Sequence, residues 1–298
     1  MSSDPQAKKG MLFAALAFVM WGVAPIYFKQ LLHVPALEIL THRVIWSVLF
    51  LAVIVGILKQ WHKVQFILGK PKYLVLLVLS ASILGFNWGL FIWAVNNDHM
   101  LDASLGYYIN PLLNVLLGVT FLHERLRKWQ MIAVALAATG VAIQVISFGS
   151  FPTVAFALAG SFAIYGLIRK KMPVESLPGL LLEAFILLPA ALLYWYFSAP
   201  TMSSDMADNN WQLNLLLISA GIVTTLPLLC FTAAAKRLQY STIGIFQYIG
   251  PSLMFLLAVL LYGEAFDMER VVTFACIWTA LVIFTWDSWR FSRRQVVA

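Results

Sequence analysis

Runs of about twenty apolar residues recur along the chain, at roughly 11–30, 36–58, 73–95, 103–122, 129–147, 152–168, 178–198, 212–234, 241–262 and 271–289. Each is long enough to cross the hydrocarbon of a bilayer as a helix rising 1.5 Å per residue. None alternates apolar and polar positions as a membrane-spanning strand does. Only short polar segments separate them. The pattern predicts an all-α integral membrane protein with ten transmembrane helices.

Polar positions inside the fourth run fall in a stripe. Ser104, Tyr107, Tyr108, Pro111, Asn114 and Gly118 recur at helical spacing and share a face, with Asn110 at its edge. Gly244, Gln247, Tyr248, Pro251, Met254 and Ala258 repeat the stripe 140 residues later. Glu124 follows Pro111 by thirteen residues, as Glu264 follows Pro251. At an offset of 138, Tyr27 meets Tyr165 and Pro35 meets Pro173. The chain reads as two copies of one unit, 1–148 and 149–298. Each copy holds five runs, an odd number, so the second copy must cross in the opposite direction. Two inverted five-helix repeats are expected, with a solute site between them near the midplane.

Composition agrees. The chain is 61% hydrophobic and 11% charged, with a mean hydropathy of +0.85, against about 25% charge in soluble domains. A net charge of +7 invites a nucleic-acid partner, but its distribution argues against one. With the amino terminus in the cytoplasm, the basic residues fall in cytoplasmic segments: around Lys8, from Lys59 to Lys72, at Arg125–Lys128, Arg169–Lys171, Lys236–Arg237, and beyond Arg290. Lys29 and Arg270 alone lie on the other side, and Arg43 lies within a run. Such asymmetry marks the retained side of short loops, and both termini are expected there. Orientation and contact with anionic lipid account for the charge, with no nucleic-acid partner. Cys230 and Cys276 fall inside runs and read as packing thiols. The first run lacks a small-residue cleavage signal and reads as a span.

Ionisable and polar groups within the runs are the candidate functional residues, because burying them in lipid is costly. Glu38 and His42 are four apart and share a helix face. Arg43 points about 100° from His42 and lies roughly 12 Å beyond Pro35. Two readings stand open for this group: a substrate or gating site, or a hydrogen-bonded structural cluster. Glu183, about 7.5 Å beyond Pro178, is either a proton relay or a partner of the basic loop. Trp88, Tyr107, Tyr108, Asn110, Gln247 and Tyr248 either line a ligand surface or make interhelical hydrogen bonds. Pro111 and Pro251 interrupt paired helices where a mobile backbone suits gating. Ala133, Ala137 and Gly140 read as a close-packing face, and Lys170 as an uninvolved loop residue.

No chemistry beyond binding emerges. His123-Glu124-Arg125-Leu126-Arg127 lacks the second histidine of a zinc-protease helix, and no Walker loop is present. No metal-ligand cluster, cofactor motif or catalytic triad is discernible, so the chain reads as a non-enzyme without cofactor or metal. The segments WGVAPIYFK (21–29), EILTHRVIWS (38–47), NWGLFIWAVNNDHMLDASLGYYINPLLNVLLG (87–118), FLHERL (121–126), GSFAIYGLIRK (160–170), PLLCFTAAAKRL (227–238) and IFQYIGPSLMFLLAVLLYGE (245–264) carry a resemblance. They are similar to the RarD-type branch of the EamA family, within the drug/metabolite transporter superfamily. The resemblance implies ten helices in two inverted repeats and a central cavity formed by the first, third, fourth, sixth, eighth and ninth spans. It also implies export or exchange of small organic metabolites or drugs across the inner (plasma) membrane. On this reading the aromatic and amide groups contact the solute, and Arg43 recognises a carboxylate. His42 or Glu183 couples protons, and access alternates without ATP. An uncoupled channel or facilitator, or a receptor or assembly factor without transport, is the alternative.

Overall fold

The computed structural model describes residues 5–97, 99–198, 206–263 and 268–297. Its helices are α1 (Pro5–Phe28), α2 (Ala36–Ile57), α3 (Trp61–Leu68), α4 (Pro71–Asn96), α5 (Met100–Phe121), α6 (Lys128–Ser147), α7 (Thr153–Lys171), α8 (Ser176–Ser198), α9 (Trp211–Ala235), α10 (Tyr240–Gln247), α11 (Ile249–Leu260) and α12 (Met268–Val297). A 3-10 turn, Lys29–Leu31, extends α1. In lipid every backbone polar group must be satisfied within the segment, so apolar runs of this length have no alternative to helix.

Nine membrane-length apolar helical stretches occur among the described residues, with α10 and α11 together forming one of them. The tenth expected span coincides with α5, which is 22 residues long. Tyr107, Tyr108, Asn110, Pro111 and Asn114 dilute its apolar character. The run 241–262 was expected to be one helix but divides at Tyr248 into α10 and α11. Pro111 leaves α5 continuous, against the interruption expected of it, whereas α10 ends four residues before Pro251. Its ring excludes the N–H that would bond the carbonyl of Gln247, the last residue of α10. The loop Lys59–Lys72 contains the short α3, and α12 continues beyond the apolar run. Glu264, Asp98 and residues 199–205 lie outside the described residues.

Local signals fix several helix ends. Pro71 opens α4, where a missing N–H costs nothing. Asn210 caps α9, accepting from the Leu213 N–H at 2.8 Å. Gln130 accepts from the Arg127 N–H at 3.0 Å and secures the start of α6.

The principal helix contacts all join one half of the chain to the other. Helix α1 packs on α9 and α11, α2 on α8 and α9, α4 on α7 and α8, α5 on α7 and α10, and α6 on α12. Exchanging α1, α2, α4, α5 and α6 for α7, α8, α9, α10–α11 and α12 turns this set of pairs into itself. Lesser pairs break the exchange, among them α7 with α9, which touch more closely than α1 and α4. The halves interleave. Helix α6 seats its small-residue face on α12, with Ala133 and Ala137 buried. A methyl at Gly140 would lie 3.0 Å from Cys276 Cβ and Thr273 O.

Contacts between distant segments define two ends of the bundle. Gln6 meets Arg237, Lys63 meets Glu175, and Arg127 meets Asp287 at one end. Near the other end, Tyr27, Leu31 and Val34 pack with Leu213 and Leu217. The first end carries nearly all the basic residues.

Candidate functional site

Arg43 is the eighth residue of α2, Tyr107 the eighth of α5, and Trp88 lies nine residues from the end of α4. All three therefore sit about 12 Å inside the end where α1 finishes. The Arg43 guanidinium lies over the Trp88 ring, 4.8 Å from its centroid, within cation–π distance. Its charge acts on the hydroxyls of Tyr107 and Tyr27. Its Nε is buried without a hydrogen-bond partner, and among the described residues it belongs to no ion pair. Tyr107 is 41% exposed. Trp88 packs against the same hydrophobic cluster as an aromatic group formed by Trp21, Phe162 and Phe231. Trp21 meets Phe162 edge-on at 5.7 Å, and Phe162 lies 5.1 Å from Phe231.

The remainder of the α5 stripe is not at this site. Pro111, Asn114 and Gly118 face α10. A methyl on Gly244 would stand 2.5 Å from Pro111 O, so glycine alone permits this crossing. Asn114 donates to Gln247 Oε1 at 2.6 Å and to Asn110 Oδ1 at 3.3 Å, and Asn110 donates to Ala159 O at 2.5 Å. Tyr248, 1% exposed, donates its hydroxyl to Tyr108 O at 3.3 Å. Tyr108 presents its ring edge-on to Phe274 at 5.7 Å. Tyr107 and Tyr108 therefore face different neighbours: the first Arg43, the second α12. Asn110, Gln247 and Tyr248 spend their polar groups within the seam between α5 and its partners, and Pro251 is buried beside them.

Glu38 and His42 lie on another face of α2. Glu38 is 2% exposed, and neither carboxylate oxygen has a hydrogen-bond partner among the described residues. His42 Nδ1 accepts from Trp46 Nε1 at 3.3 Å, and its ring meets Trp195 of α8 edge-on at 4.7 Å. Trp46 and Trp195 line a cleft of about 330 Å³ with Ile45, Leu192 and Tyr196. Its mainly apolar wall suits a lipid chain better than a polar solute.

Glu183 is held from three directions. Arg169 Nη1 lies 3.6 Å from Oε1, Tyr165 donates to Oε2 at 3.2 Å, and Ser80 donates to Oε1. This is the pairing with the basic segment that sequence left open against a proton relay. A methyl on Gly179 would fall 2.5 Å from Arg169 Nη1, so the absent side chain makes room for the guanidinium.

At the basic end two ties close the bundle. Glu124 caps α10, accepting from Tyr240 N at 2.6 Å, Ser241 N at 2.9 Å and Ser241 Oγ at 2.7 Å. His123, in the left-handed region at φ 53°, turns the chain so that Glu124 N–H reaches Gly118 O at 3.0 Å. The ends of α7 and α9 are clasped reciprocally. Lys170 donates to Ala235 O at 3.0 Å and to Leu238 O, while Lys236 donates to Met172 O. Lys170 is therefore no idle loop residue, correcting the sequence expectation. Burial, then the neighbouring Arg169 and Lys170 charges, pulls the Lys236 ammonium down to about 8.

The EamA-like transporter family matches residues 8–146 and 152–286. The chain belongs to that family. Within it the chain is of the RarD type. It is 55% identical over 289 residues to Protein RarD of Escherichia coli, covering 97% of this chain and 98% of the relative. It is 56% identical over 283 residues to Protein RarD of Salmonella typhi, covering 95% and 96%. An uncharacterized transporter of Vibrio cholerae is 61% identical over 288 residues, covering 96% and 95%. A crystal structure 18% identical to the chain superposes with a TM-score of 0.72, covering 92% of this chain and 96% of that one, a likeness of fold. This EamA-family protein is a multi-pass membrane transporter, as the family's description and the name of the Vibrio cholerae relative indicate.

Sequence reasoning picked out Arg43, Trp88 and Tyr107 but missed three features of this EamA protein. Tyr27 belongs beside Arg43, and Tyr165, 138 residues later, belongs beside Glu183; that offset was the available signal. Trp21, Phe162 and Phe231 form the aromatic group, which apolar composition hides. Glu124 was noticed as a repeat marker without a role, because its partner lies 116 residues away.

Proposed function

We propose that this EamA-family chain is a secondary transporter that moves a small organic metabolite or drug by alternating access, without ATP. In this reading α5 is the tenth span, and the units 1–148 and 149–298 are inverted five-helix repeats. The exchange symmetry of the helix pairs supports the repeat. The basic residues gathered at one end support an inner (plasma) membrane orientation with both termini cytoplasmic.

The observation that carries the mechanism is a departure from that symmetry: α7 is clasped to α9 through Lys170 and Lys236, and among the described residues α1 has no comparable hold on α4. A bundle of paired helices closed at one end and looser at the other is half of an alternating cycle. The moving bodies would mix both halves of the chain. Helices α1, α2, α9, α10 and α11 form one body, and α4, α5, α7 and α8 form the other. The α5–α10 seam, with Pro111 and Pro251, is the rocking line. Asn110, Gln247 and Tyr248 serve this seam, and Tyr108 braces it against α12. Arg43, Trp88, Tyr107 and Tyr27 face the solute from the looser end. Glu183 ties α4, α7 and α8 together within one body. Glu38 and His42 are the coupling candidates, being ionisable groups within the membrane that are separate from this tie.

Counterflow in vesicles reconstituted with the purified protein tests the reading. Preloaded solute should drive uptake of labelled solute without ATP, and a pH step should change its rate if protons are coupled. Absence of saturable exchange for every solute that stabilises the protein would overturn transport.

A further inference from the structure

Arg43 is a charged group inside a membrane-spanning helix that has no counter-charge among the described residues, in a chain that elsewhere supplies one. Arg169 has Glu183 at 3.6 Å, with both side chains buried. Arg43 stacks on Trp88 and interacts with two tyrosine hydroxyls, yet among the described residues no carboxylate lies within ion-pair distance. Glu38, five residues earlier, projects about 140° around the helix from Arg43. An uncompensated cation at this depth costs several kcal/mol relative to water. Packing does not require it: the guanidinium leaves its buried Nε without a partner. The guanidinium is nevertheless held over the Trp88 ring, with the exposed Tyr107 as an electrostatic neighbour.

We propose that the missing counter-charge is the solute's own, so that the transported solute is an organic monoanion: a carboxylate carried on an apolar or aromatic body. The carboxylate takes the fork of Arg43, which matches its two oxygens. The Tyr107 hydroxyl donates to it from the side. The body lies over Trp88 toward Trp21 and Phe162, where aromatic edges and faces are already arranged at contact distance. An organic cation is repelled at this place. A dianion keeps one negative charge uncompensated, because Arg43 is one positive charge.

This inference rests on the Arg43 cage being the solute site. Its test is a panel of small aromatic and aliphatic monocarboxylates, each with its primary amide and its amine, applied to purified protein and to vesicles. Thermal shift should select carboxylates over their amides by on the order of 10- to 100-fold in affinity, the range of a charge-assisted hydrogen bond. Binding should follow the ionised fraction of each acid as pH falls. Arg43→Gln should abolish the selectivity while its unfolding temperature remains that of a folded protein, and Arg43→Lys should restore only part of it. Preference for amides or amines, carboxylate selectivity that survives in Arg43→Gln, or no carboxylate binding across the panel each overturns the proposal. Selective carboxylate binding without counterflow in vesicles leaves the anion site standing and removes the transport reading instead.

Discussion

Arg43 and Glu183 occupy the same place in their helices, each the eighth residue of α2 and of α8, and they carry opposite charges. Tyr27 attends the first, and Tyr165 attends the second. Glu183 has a partner cation in Arg169, whereas Arg43 has no partner anion among the described residues. The same helix position thus holds a buried ion pair in α8 and, in α2, a charge with no partner anion among the described residues.

The difference has an energetic signature. Arg169→Ala strands a buried carboxylate and should cost about 3–5 kcal/mol of stability. Arg43→Gln removes an unpaired charge and should cost less than about 1 kcal/mol, or stabilise. Denaturant unfolding in detergent measures both, and equal losses would remove the distinction between tie and site.

The α5–α10 seam predicts a separation of stability from binding. Asn114→Ala leaves Gln247 Oε1 unpaired and should cost about 1–3 kcal/mol, and Tyr248→Phe about 0.5–1 kcal/mol, because its bond at 3.3 Å is long. Neither should change solute affinity measurably. Tyr107→Phe should do the reverse, weakening binding several-fold with unfolding unchanged. Affinity loss in Tyr248→Phe would place that hydroxyl at the solute.

Glu124 should act as a latch. Its carboxylate satisfies the first N–H groups of α10 and opposes the positive end of that helix. Glu124→Ala should cost about 1–2 kcal/mol, and so raise the population of the opened basic end by about 5- to 30-fold. A Thr242→Cys reporter, buried beside the cap, reads this as a faster reaction with a soluble thiol reagent. An unchanged rate would assign Glu124 to helix capping alone.

Lys236 supplies a pH dependence. Its ammonium is lowered from the usual 10.5 to about 8, so the unfolded chain holds this proton more tightly than the folded one. Between about pH 8 and 10.5 the unfolded state binds more protons, and stability should rise with pH in that window. Below about 8 the cost is fully present. Lys236→Met should flatten this part of the melting profile relative to the native chain, and identical slopes would remove Lys236 as its source.

The sequence by itself determined the helices, because lipid leaves an apolar run of twenty residues no other way to satisfy its backbone. It also shows Tyr27 and Tyr165 at an offset of 138 and Pro111 and Pro251 at an offset of 140, the pattern on which the proposed repeat rests. Arg43, Trp88 and Tyr107 were legible as candidates, since polar groups are costly in such runs. Only the tertiary structure decided which polar group is spent on packing and which is left open. Asn110, Gln247 and Tyr248 share the composition and spacing of a ligand surface, but the close crossing at Gly244 buries them against their partners. Lys170 and Glu124 read as loop charges until α9 and α10 arrive beside them. Helical periodicity says which residues share a face. What that face meets is fixed by contacts more than a hundred residues away in sequence, such as Asn114 with Gln247 and Glu124 with Tyr240, which no local pattern encodes.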